Sequence, residues 1–129
     1  MTDPFFLTVE EVIGLHGDQI EEFGGIHGIR DEGLIESAVM TPQASFGGEY
    51  LHSDLFEMGA AYAFHLAENQ PFLDGNKRTA LSSALVFMRI NGFSVLDPDG
   101  KLYDMLIDIA NRAADKTDLA ELLRQLPKA

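Results

Sequence analysis

The sequence predicts an all-α fold, a compact six-helix bundle around two central apolar helices, with one small β-hairpin flap. Six stretches carry apolar residues at helical spacing between start and stop signals. Two consecutive stretches are apolar on most faces, which places them in the middle of the fold. Only residues 43–52 alternate in the manner of strands.

Thr8 and Glu11 form a capping box ahead of Val9, Val12, Ile13, Leu15 and Ile20, and Gly24-Gly25 stops this first helix. Asp31 caps a short second helix through Leu34, Ile35, Ala38 and Val39, which Thr41-Pro42 ends because a residue before proline is pushed out of the helical region. Gly47-Gly48 between Phe46 and Tyr50 makes the turn of the hairpin. Ser53 caps a third helix over residues 54–69, rich in Ala, Phe and Leu, which Pro71 terminates. A fourth opens near Asp74-Gly75-Asn76 and runs to Asn91-Gly92. After the turn Asp97-Pro98-Asp99-Gly100, a fifth carries Leu102, Met105, Leu106 and Ile109, and Thr117 caps a sixth through Leu119, Leu122, Leu123 and Leu126.

The 129 residues make one domain, residues 1–129, with no linker, low-complexity tract or internal repeat. Without cysteine there is no disulfide, thiolate metal site or cysteine nucleophile, as suits a reducing cytoplasm. Apolar runs such as residues 84–88 are far short of the ~20 residues of a membrane span, and the Asp3-Pro4 start lacks the features of a signal peptide. Nine Lys and Arg stand against 21 Asp and Glu, a formal charge of −12. Such a field repels phosphodiester backbones and lipid surfaces and attracts basic partners. Neither direct nucleic-acid binding nor membrane binding is expected.

One stretch carries chemistry: "ENQPFLDGNKRTAL", between the two central helices. A helix N-terminus exposes unpaired N–H groups and a partial positive charge, so a loop delivering Gly75, Asn76, Lys77 and Arg78 there is a candidate phosphate cradle. Successive Lys77 and Arg78 project about 100° apart and can grip different phosphates. Asp74, a hard oxygen ligand, suits Mg²⁺ held jointly with a nucleotide's phosphates. Phe72 reads as a core anchor for the loop. The same residues also describe an ordinary turn and helix cap with a solvated cation pair.

The loop "QPFLDGNKRTAL" resembles that of Fic-fold proteins, His-Pro-Phe-x-(Asp/Glu)-Gly-Asn-(Gly/Lys)-Arg, in the form it takes in the death-on-curing (Doc) family. "FGGIHGIRDEGLIESAVMTPQ", "LFEMGAAYAF" and "SSALVFMRING" extend the likeness over most of the chain. The adenylylating Fic enzymes have Gly at the position of Lys77 and a second Arg at that of Leu81. The resemblance therefore implies the Doc activity: ATP bound in the opposite sense, its γ-phosphate passed to a hydroxyl of a translation factor of the elongation factor Tu class, in a toxin–antitoxin module. It also implies a separate antitoxin partner, since Ser53 and Glu57 have the spacing of the family's inhibitory segment while Met58 follows in a core helix.

At the position of the family's general-base His, this chain has Gln70. An imidazole exchanges a proton near neutral pH; a carboxamide only donates and accepts hydrogen bonds. Loss of general-base assistance, typically ~10²–10⁴-fold, would slow transfer while sparing ATP positioning. The other histidines offer no convincing substitute: His65 lies off the face of Gln70, His52 precedes the third helix, His16 reads as a helix-surface residue and His27 as a turn residue. The sequence is compatible with a natural variant of altered activity, a pseudoenzyme, or a copy disabled on purpose. Two further readings stay open, a catalytically silent protein that binds nucleotide or antitoxin, and an adenylylating enzyme.

Overall fold

The computed structural model describes residues 3–129. Its elements are α1 (Val9–Phe23), α2 (Glu32–Met40), a 3-10 turn (Thr41–Gln43), a hairpin of β1 (Ser45–Phe46) and β2 (Glu49–Tyr50), α3 (Leu55–Asn69), α4 (Asn76–Ile90), α5 (Lys101–Ala110) and α6 (Lys116–Gln125). The chain is all-α apart from that antiparallel hairpin, in which Ser45 faces Tyr50 and Phe46 faces Glu49. No helix among the described residues is long and apolar enough to cross a membrane.

The apolar pattern places α3 at the centre, in contact with α2, α4, α5, α6 and the 3-10 turn, while α1 lies across α4 and α2. Residues Met58 to Ala63 of α3 are all buried, as a helix apolar on every side must be. Gly59 allows the closest approach, since a Cβ there would lie 2.8 Å from Met88 Sδ of α4. Tyr62 is fully buried against Phe87, and its hydroxyl accepts from the Leu7 amide at 2.9 Å. Burial disfavours the phenolate and pushes its pKa up to about 12.

Several boundaries follow the caps read from the sequence. The Thr8–Glu11 capping box is present on α1, and the Asp31 carboxylate accepts from the Leu34 amide at the head of α2. Two caps are corrected by one or two residues. Asp54, not Ser53, caps α3 by accepting from the Glu57 amide, which leaves Ser53 outside the helix with its hydroxyl on the Glu57 carboxylate. Asp115, not Thr117, caps α6, in a reciprocal box with Asp118. In both places a carboxylate competed with a neighbouring hydroxyl for the same free amides.

Candidate functional site

Gln70 is the C-cap of α3 and adopts a left-handed backbone, φ 48° and ψ 57°. This conformation turns the chain out of the helix at the point where Pro71 forbids its continuation. Arg30 holds the reversal: its Nε donates to the Gln70 carbonyl and its terminal nitrogen to the Asn69 carbonyl, both at 2.8 Å. The backbone amides of Arg30 and Asp31 donate to the Pro71 carbonyl, and that of Leu73 to the Gly28 carbonyl, so the α1–α2 connection pairs with the loop as a short antiparallel bridge, Ile29 opposite Phe72.

Two glycines permit that lacing. A Cβ on Gly25 would sit 2.8 Å from Asp74 Oδ2 and one on Gly28 2.7 Å from Leu73 Cδ1, and both residues have positive φ, 124° and 135°. The Ile26 amide then donates to Asp74 Oδ2 at 3.2 Å, while the Gly75 amide donates to Oδ1 at 2.9 Å.

Phe72 is buried, the core anchor expected. Asn76 pins it from the other side, its side chain accepting from the Phe72 amide and donating to the Phe72 carbonyl, each at 3.0 Å. The carboxamide of Asn76 thus shapes the loop, and what it offers a ligand is its backbone amide. Beneath Phe72 lies His16, stacked on its ring at 3.9 Å with planes 4° apart. His16 Nε2 is 2.8 Å from the Asp74 carbonyl oxygen; a carbonyl only accepts, so Nε2 carries the proton. The expectation of a helix-surface residue is corrected here: His16 is 4% exposed. It falls in the i, i+4 series Val12, His16, Ile20, the buried stripe of α1, and that spacing is the signal that could have identified it.

Gly75, with φ 74°, is the N-cap of α4, and no side chain caps the helix. The first turn therefore presents backbone amides at Asn76, Lys77 and Arg78, with the positive end of the helix dipole behind them. Gln70, Asp74, Gly75, Asn76, Lys77 and Arg78 line one cleft of about 280 Å³, together with Ala67, Leu73 and Tyr103. The six residues that the sequence analysis assigned to phosphate, metal or the general-base position thus line one cleft. The Arg78 guanidinium lies 4.2 Å over the Phe23 ring, which holds it at the edge of the cleft.

The other histidines lie elsewhere. His52 and His65 Nε2 stand 3.0 and 3.2 Å from the Lys116 ammonium, in contact with α6 and not with the loop. His27 is exposed and bonded to Glu21. Among the described residues no three His, Asp or Glu side chains converge into a preformed metal cage. The Asp74 carboxylate accepts two backbone amides and keeps lone pairs on both oxygens, so it fits a divalent ion that takes its remaining ligands from phosphate and water.

The arrangement has named relatives. The Fic/DOC family profile matches residues 6–88, the span from before α1 into α4 that contains the whole loop and its supports. The chain is 38% identical over 120 residues to "Protein kinase doc" of Escherichia phage P1, covering 93% of this chain and 94% of that protein. It is also 38% identical over 101 residues to "Toxin Doc" of Mycolicibacterium smegmatis, covering 76% and 77%. With fold, loop and both similarities in agreement, this chain belongs to the Fic/DOC family.

Proposed function

We propose that this protein is a Doc-like toxin component that binds Mg-ATP at the head of α4 and transfers its γ-phosphate to a hydroxyl of a translation factor of the elongation factor Tu class, slowly because Gln70 stands in place of the general base. The observation that carries the reading is the cleft itself, where Lys77, Arg78 and the uncapped amides of α4 share one wall with Asp74 and Gln70. The kinase and toxin named among its relatives, at 38% identity, support phosphoryl transfer over other uses of the fold.

In this mechanism the backbone amides of the first turn of α4 and the Lys77 ammonium hold the phosphate oxygens. Arg78 neutralises charge at the edge of the cleft. Asp74, oriented by the Ile26 and Gly75 amides, is the side chain that holds magnesium. The ion, when bound, neutralises charge on the β- and γ-phosphates. Gln70 orients the acceptor hydroxyl by a hydrogen bond and cannot take its proton. Because the transition state of phosphoryl transfer is loose, positioning and charge supply most of the acceleration, and the proton leaves to water.

The expected partner is a separate antitoxin. Ser53 and Glu57 bond to one another beside α6, and neither lines the cleft, so that pair does not act as an internal inhibitor in this reading. Calorimetry of Mg-ATP binding tests the cradle. Lys77→Ala and Arg78→Ala should each weaken affinity by about tenfold or more, the worth of a charge-assisted contact. Unchanged affinity in both variants would remove the phosphate site from α4.

A further inference from the structure

Two clefts meet at one pair of side chains. Arg78 and Tyr103 line the phosphate cleft, and the same two residues line a larger groove of about 880 Å³ between α1, α4 and α5. Tyr103 is the one aromatic side chain lining the phosphate cleft, and it is 41% exposed.

The groove differs in character from the cleft. Leu81 and Leu85 of α4 are part of its apolar lining, and its charged side chains are the carboxylates of Asp18, Glu22 and Asp97 with the guanidiniums of Arg78, at the junction, and Arg89. Three carboxylates against Arg89 and the shared Arg78 leave the groove net acidic and less favourable to a polyphosphate than the uncapped head of α4, which attracts one. A ligand with a charged and an uncharged end is thereby oriented. Its phosphates lie at Lys77 and the α4 amides, and its uncharged end passes Arg78 into the groove.

We propose that the groove receives the nucleoside of the phosphate donor, with its base stacked on Tyr103 and its ribose hydroxyls and exocyclic amino group donating to the groove carboxylates. This placement rests on the phosphate cradle proposed above and adds to it a site for the rest of the nucleotide. Stacking on an aromatic face accepts any base, so Tyr103 selects a nucleoside over a bare polyphosphate without selecting strongly among bases.

Calorimetry with two ligands, Mg-ATP and magnesium tripolyphosphate, separates the two ends. The full chain should bind Mg-ATP more tightly than tripolyphosphate. Tyr103→Ala should weaken Mg-ATP on the order of tenfold and leave tripolyphosphate unchanged, and Tyr103→Phe should restore the ATP affinity. Tyr103 is an exposed residue of α5, and matching thermal melts will show that both variants fold. Equal loss for both ligands, or no loss for either, would overturn the placement and assign the groove to another occupant, such as a partner protein. A chain that binds neither ligand would overturn the cradle and this placement together.

Discussion

Gln70 stands at a left-handed turn, where the proposed mechanism places the acceptor's proton. The backbone conformation is unusual for a residue other than glycine, and histidine is among the types enriched in it, so the turn suits a histidine at this position better than most side chains. The Arg30 fork and the Pro71 carbonyl hold the turn through backbone atoms alone, independent of the side chain at position 70. His16 is the neighbouring residue with the most to lose. It is buried, stacked on Phe72 and bonded to the Asp74 carbonyl, so it carries the loop from below. His16→Phe keeps a ring on Phe72 and removes the donor to that carbonyl. It should lower unfolding stability by about 1 kcal/mol and weaken Mg-ATP binding, measured by denaturant melts and calorimetry.

Helices and their caps were legible from local sequence because their signals span three or four residues. The loop between α3 and α4, with Asp74, Lys77 and Arg78, was legible for the same reason. What supports the loop was not. Gly25, Gly28 and Arg30 act across about forty residues of sequence or more, beside an antiparallel bridge that no periodicity announces. Ser53 and Thr117 were read as caps in place of Asp54 and Asp115 because hydroxyl and carboxylate lie within two residues of each other and either can reach the free amides. At the same scale, the contact between α3 and α4 rests on Gly59 facing Met88. Gly59→Ala must displace a fully buried thioether, and a thermal melt should register a loss of about 1–3 kcal/mol, typical of an overpacked core.

Across the molecule, α6 is attached to α3 through a cation. Lys116 is the first residue of α6, where the helix dipole is unfavourable to a positive charge, and His52 and His65 offset this by accepting from its ammonium. Both imidazoles must be neutral to accept. Burial first, then the charge of Lys116, lowers the pKa of each, His65 to about 4, while Glu57 opposes the shift at His52 and Glu68 at His65. In the unfolded chain these histidines take up protons near pH 6.5, their ordinary value. The native state resists protonation until lower pH, so their contribution to stability is full above about 6.5 and is lost progressively as pH falls toward 4. His65→Gln retains an acceptor for Lys116 without a titrating ring. The difference in melting temperature between it and the native chain should change across pH 6.5 to 4 and be constant above; a pH-independent difference would contradict the assignment.

The central claim is a cradle prepared for phosphoryl transfer in which one proton acceptor is missing. Gln70→His supplies that acceptor in a backbone conformation suited to it. Incubated with elongation factor Tu and ATP labelled at either the γ- or the α-phosphate, the native chain should transfer the γ label slowly and Gln70→His should do so ~10²–10⁴-fold faster. Transfer of neither label by either protein, or transfer of the α label, would contradict it.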